Sequence, residues 1–224
     1  MGYLNEEQHR IVSDAVAQAE AHTAGEIVTV LADRSDGYTD VALWWAIAAA
    51  FTAMSVFALF PELYLTALDR FMGGWGSEWT HGEILTVVIA IGLAKFLGVL
   101  AVQLWQPLKF WLIPPPVKSA RVREAAIRHF KVGAERRTHG RTGVLIYLSM
   151  REHRAEIVAD EAIAGEVAPE VWGEAMADML AEIKKGQIAE GMAAGVRDVG
   201  AVLSEHFPRA EDDVNELPDR LIEV

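Results

Sequence analysis

Two stretches of the chain, Val41 to Phe60 and Ile84 to Leu104, abandon the mixed polar and apolar spacing found elsewhere and run nearly uncharged. Each is long enough to cross the hydrocarbon core of a bilayer as a helix. A shorter, strand-like run, Glu26 to Ala32, precedes the first, and helix and strand patterns of soluble character follow the second. The pattern predicts one α/β domain, a three-layer-like sandwich with a small mixed sheet, interrupted by a two-helix transmembrane hairpin. Its parts are 1–40 and 107–208 for the α/β domain, 41–106 for the hairpin, with spans at 41–60 and 84–104, and 209–224 for an acidic flexible tail.

Within the domain, Asn5 reads as an N-cap with Gln8 as capping-box partner, opening a helix whose stripe is Ile11, Val12, Ala15, Val16 and Ala19 and which ends near His22. Glu26 to Ala32 alternates as a strand. After the second apolar run, Pro107 and Pro114 to Pro116 predict a stiff spacer. A helix follows from about Val117 to Arg137. GVLIYLS, from Gly143, suits a strand covered on both faces, and Arg154 to Asp160 a half-buried or edge strand antiparallel to it. Two helices close the domain, one opened by Pro169 and ended by Gly186, the other running from Ile188 to Pro208. Arg209 to Val224, with six acidic and two basic residues, predicts a mobile tail.

Charge orients the hairpin. The connecting loop, Pro61 to Glu83, contains only Arg70, whereas Arg34 precedes the first span and Lys109, Lys118, Arg121 and Arg123 follow the second. Cytoplasmic flanks carry such an excess, so both termini are expected in the cytoplasm of a cell with the protein multi-pass in its inner membrane. Trp44, Trp45, Trp105 and Trp111 then fall at the inner interface, and Trp75 and Trp79 at the outer one. No basic segment followed by an apolar stretch opens the chain, so the first span is expected to act as its own insertion signal.

Lys95 lies near the middle of the second run, where an ionised side chain costs about 2.5–3.5 kcal/mol on insertion scales. The thirteen Ile, Leu, Val and Phe residues of that run, at roughly −0.3 to −0.6 kcal/mol each, outweigh it. Lys95 is either an intramembrane functional site or a residue bonding to Thr52, Ser55 or a carbonyl of the facing helix. Ala42, Ala46 and Ala50, and likewise Ala90, Ala94 and Gly98, recur at four-residue spacing and allow close helix contact, within the hairpin or between copies.

A formal net charge of −12 argues against a nucleic-acid partner, which needs clustered Lys and Arg. The absence of cysteine removes disulfide and thiolate chemistry. Lys118, Arg121, Arg128 and Lys131 fall at helical spacing as the chain leaves the bilayer, a face suited to anionic head groups or simply to solvent. Glu152, His153 and Glu156 lack the spacing of a zinc helix. No glycine-rich phosphate loop and no nucleophile elbow is present, so no residue is assigned as catalytic. If the first two strands are parallel and the third reverses, Glu26, Arg141, Thr142 and Asp160 gather at one sheet end. There they hold a cation or a phosphate, or cap strands and pair with one another.

The arrangement GEIVTVL, a helix, RTGVLIYLSMREHRAEIVAD, then W-x6-M-x3-I-x2-G-x4-G resembles the TPM-domain family in its membrane-spanning bacterial branch. That resemblance implies a compact α/β sandwich, and for some members weak acid-phosphatase activity and calcium binding, which makes calcium the one cofactor implied. Glu26 after Gly25, and Gly143 before the central strand, match the family motif. Arg141 and Thr142 stand where an Asp-Asn pair usually precedes that glycine, and Asp160, Glu161 and Ala162 replace a glycine-rich turn. The leading expectation is therefore a non-enzymatic binding or scaffolding module in membrane-protein assembly or maintenance, with the lipid bilayer and a membrane protein or a second copy as partners. The alternative is a weak divalent-cation-dependent phosphatase using Glu26, Asp160 and Arg141. A lesser one is a subunit of a transport complex, for which Lys95 is the only support.

Overall fold

The structure, a computed structural model, describes residues 2–72, 78–133, 142–209 and 217–224. They form two compact units, one from Met1–Asp36 with Pro115–Val224, the other from Gly37–Pro114.

The first unit is a mixed α/β sandwich. Helix α1 (Glu6–Glu20) starts with the expected capping box, Asn5 accepting from the Gln8 N–H and Gln8 from the Asn5 N–H. Strand β1 (Glu26–Ala32) is buried along its length, as is β2 (Gly143–Ser149). The two run parallel, Glu26 opposite Gly143 and Ala32 opposite Ser149. Strand β3 (Arg154–Ala159) returns antiparallel to β2 at the sheet edge. Because the pleat alternates, Ile27, Leu31, Val144, Ile146 and Leu148 face one core, shared with α1, α8 (Pro169–Ile183) and α9 (Ile188–His206). Val28, Val30, Leu145 and Tyr147 face the other, against Val122, Ala126 and Phe130 of α6 (Pro115–Gly133). Helices thus cover both faces, which explains strands of nearly continuous apolar character.

Two expectations are corrected here. The segment read as a mobile tail supplies a fourth strand: β4 (Ile222–Glu223) pairs parallel with β1, giving the order β3-β2-β1-β4. Its acidic residues 211–213 and 216 lie outside the described residues. The prolines predicted as a spacer instead sit in helices, Pro115 and Pro116 in the first turn of α6 and Pro107 at the start of α5 (Gln106–Leu112). At a helix start a missing N–H has no intrahelical bond to lose. A short helix, α7 (Glu161–Glu166), follows β3, where Asp160, Glu161 and Ala162 stand in place of a glycine-rich turn.

The second unit contains α2 (Thr39–Leu59) and α4 (His81–Val102), both long and apolar enough to cross a membrane. They pack antiparallel. Gln103 donates to the Ala42 carbonyl at 3.2 Å near one end, and further along a Cβ at Gly92 would stand 2.7 Å from Met54 Sδ. Only 22% and 6% of their most apolar windows are buried. The connecting segment read as a loop contains α3 (Pro61–Met72), opened by Pro61, with the Tyr64 ring tilted against Phe57 at a centroid distance of 5.4 Å. Trp75, assigned to the outer aromatic belt, lies outside the described residues.

Small residues divide between two roles. Ala42 and Ala46 are buried in the α2–α4 contact, whereas Ala90, Ala94 and Gly98 face outward. Lys95 is also exposed, and its ammonium makes no hydrogen bond to Thr52, Ser55 or any other described residue. Gly92 and Met54 fill the position where that bond was expected.

Candidate functional site

The register puts Glu26, Gly143 and Asp160 in one row at the start of β1 and β2. Glu26 opposes Gly143, and Asp160, following the Val144–Ala159 pair, donates its N–H to the Gly143 carbonyl at 2.9 Å. Thr142 adjoins them, its carbonyl accepting from the Glu26 N–H and its hydroxyl donating to the Ala24 carbonyl at 3.0 Å. Three of the four residues expected at this sheet end are therefore neighbours. The fourth, Arg141, lies outside the described residues.

Most of the polar atoms there already serve the backbone. Glu26, 5% exposed, accepts the Leu217 N–H at 3.2 Å through Oε2. Glu20, at the end of α1, accepts the Ile27 N–H at 2.7 Å through Oε1. Burial pushes the Glu20 carboxyl up to about 8, the hydrogen bond from Ile27 opposing and the charges of Glu26 and Asp219 adding to the rise. A proton held there near neutral pH lets buried Glu20 stand beside the carboxyls of buried Glu26 and half-buried Asp219. Asp160 differs: also 5% exposed, it leaves Oδ2 without a hydrogen-bond partner among the described residues.

Glu20 and Asp219 were not singled out from the sequence. One signal existed for Glu20, which stands four residues beyond Val16 and eight beyond Val12 on the buried row of α1, an acid in an apolar stripe. Nothing local marked Asp219.

Calcium takes six to eight oxygen ligands at about 2.3–2.6 Å. Among the described residues no three His, Asp or Glu side chains could together hold a metal ion. The donors described, two of them committed to backbone N–H groups, do not fit calcium.

A second polar cluster closes the opposite sheet end. Buried Glu152 accepts the Ser35 N–H at 2.9 Å and the Ser149 hydroxyl, while the Ser35 hydroxyl meets the Tyr147 hydroxyl at 3.2 Å. Burial pushes the Tyr147 phenol up, and burial pushes the stacked His129 imidazole down. Arg151 Nε donates to both oxygens of Asp33 at 2.9 Å, and the Tyr3 hydroxyl also donates to Asp33. These two donors hold Asp33 below the usual carboxylate range. His153 takes the left-handed turn conformation at φ 50°, and Glu156 is half-buried on β3.

The basic face of α6 is partly neutralised. Arg121 pairs with Asp36 at 3.2 Å and with Glu124 at 3.5 Å, and Arg128 with Glu124 at 3.3 Å. Lys118 is half-buried and Lys131 exposed.

Residues 117–202 match the family model described as TPM domain. That stretch runs from α6 through β2 and β3 into α9. No curated protein matches the chain. Among solved structures, the NMR structure of BA42 protein from the psychrophilic bacterium Bizionia argentinensis is similar, at 18% identity and a TM-score of 0.56, over 99% of this chain and 95% of that one. At that identity the likeness concerns the fold. The stretch that matches the TPM domain, residues 117–202, lies within the α/β unit whose sheet end holds Glu26, Thr142 and Asp160.

Proposed function

We propose that this protein is a membrane-anchored binding module of the membrane-spanning TPM branch, holding its α/β unit at the cytoplasmic face of the inner membrane for assembly or maintenance of a membrane-protein partner. The supporting observation is the outer surface of α2 and α4: Trp44 is 70% exposed, Phe51 66% and Leu93 57%, an apolar surface that water does not favour. A core helix of a soluble unit would bury those residues. Arg34 and the Lys and Arg residues after α4, set against Arg70 alone between the helices, orient both termini to the cytoplasm.

The sheet end offers little to catalysis, because Glu20 and Glu26 are each engaged by a backbone N–H. The phosphatase reading retains one supporting atom, Asp160 Oδ2. Detergent extracts of cells expressing the tagged chain should yield one membrane protein reproducibly, resist carbonate extraction, and lose that partner when residues 37–114 are replaced by an unrelated two-span hairpin. Recovery of the chain in the soluble fraction, or no partner in repeated pull-downs, would overturn the reading.

A further inference from the structure

Two grooves run along one flank of α4, both within the apolar unit. One, of about 450 Å³, has Trp45 and Leu112 as walls and Ala94, Lys95 and Gly98 on its floor and rim. The other, of about 490 Å³, has Tyr64, Leu68 and Phe71 of α3 as its wall and Ala90 and Ala94 on its floor. Ala94 lines both, so together they form a trough from Val87 to Val102. At 1.5 Å per residue it is about 22 Å long, most of a bilayer's hydrocarbon depth. Small side chains on the floor let another backbone approach closely, as helix contacts in lipid require.

We infer that this trough seats a transmembrane helix of another protein that carries an Asp or Glu at the depth of Lys95. The inference rests on the membrane-anchored reading above and names the partner's chemistry. Among the described residues Lys95 is the only charged one lining the trough, and its ammonium makes no hydrogen bond to any of them. It lies seven residues before Val102, about 10 Å inside the end of α4, which is too deep for a head-group phosphate to meet it without drawing polar groups into the hydrocarbon. An acyl chain fits the apolar walls but leaves the ammonium without an anion. A second copy is the wrong partner on charge, since its own trough presents a lysine, and the acids of α2 and α4, Asp40 and Glu83, stand in their first turns. A carboxylate on a foreign helix satisfies both the shape and the charge.

The test uses the full chain in phosphatidylcholine vesicles at pH 8, labelled through Leu104→Cys, an exposed position outside the trough in a chain without other cysteines. The probes are two synthetic Leu/Ala single-span helices, identical except for one central Glu or Gln, and energy transfer reports their binding. The Glu probe should bind at least about tenfold more tightly than the Gln probe, a preference kept by Lys95→Arg and abolished by Lys95→Leu. Gly98→Leu should weaken the Glu probe as well, since a Cβ there meets nothing within 4 Å and the larger side chain grows into the groove that Gly98 lines. Equal binding of the two probes, or a Glu preference that survives Lys95→Leu, would overturn the proposal. Flotation of the same vesicles separates the two ideas: a chain that floats without the Glu preference contradicts the trough alone, and one that fails to float contradicts the membrane anchor itself.

Discussion

Glu152 accepts the backbone N–H of Ser35 at 2.9 Å, joining the turn before β3 to the chain leaving β1. Its other oxygen accepts the hydroxyl of fully buried Ser149. Removing the carboxylate leaves the buried Ser149 hydroxyl and the half-buried Ser35 N–H without this acceptor, and a buried donor left unmade costs about 1–3 kcal/mol. Glu152→Ala should therefore destabilise the first unit by about 2–3 kcal/mol, with Glu152→Gln milder because it keeps an acceptor. Denaturant unfolding followed by circular dichroism measures this, and a loss below about 0.5 kcal/mol would show that the cluster contributes little.

Glu20 gives a pH dependence of definite sign. Its folded value, about 8, stands above the ordinary 4.5 of a glutamic acid, so the native state binds the proton more tightly than the unfolded chain. The associated stability is complete below about pH 4.5 and is lost as pH rises through 8. Glu20→Gln, which keeps the acceptor for the Ile27 N–H, should match the parent near pH 4.5 and exceed its stability at pH 8.5 by on the order of 1–3 kcal/mol. A difference that does not grow with pH would place the proton elsewhere.

Two glycines in neighbouring helices should respond oppositely to alanine. At Gly191 a Cβ would stand 2.7 Å from the Met179 carbonyl oxygen, a backbone atom that cannot swing aside, where α9 crosses α8. At Gly173, inside α8, it would meet nothing within 4 Å. Gly191→Ala should cost about 1–3 kcal/mol by overpacking. Gly173→Ala should add about 0.5–1 kcal/mol through helix propensity. Paired unfolding curves decide, and a stabilising Gly191→Ala would mean the two helices separate at little cost.

Asp160 carries what remains of the enzymatic alternative. The purified full chain, given calcium or magnesium and a generic phosphate ester, should hydrolyse it no faster than its Asp160→Ala variant does. Turnover present in the parent and lost in that variant would make this sheet end an active site.

The sheet was legible because its signals are local: β1 matches the expected Glu26–Ala32, and β2 starts at the Gly143 that opens an apolar run. The gathering of Glu26, Thr142 and Asp160 followed from strand direction alone. What local pattern missed was set by tertiary contact. Ile222–Glu223 pairs with Val30 and Leu31 across nearly the whole chain, and nothing in an acidic segment signals two residues of ladder. The Glu20 and Asp219 contribution is hidden for the same reason, since its effect arises only when α1, β1 and the C-terminal segment meet. Lys95 shows the converse, a conspicuous residue whose own helix turns Gly92 rather than the lysine toward Met54 of the facing helix.

The account depends on residues before α2 and after α4 sharing one aqueous side, with the α3 segment on the other. The chain has no cysteine, so Arg10→Cys, Glu190→Cys and Glu78→Cys, each at an exposed position, report sidedness one at a time through a membrane-impermeant thiol reagent. The account predicts that intact spheroplasts label only position 78, while inverted membrane vesicles label 10 and 190. Labelling of 10 and 190 from opposite sides, or of all three from the same side, would contradict it.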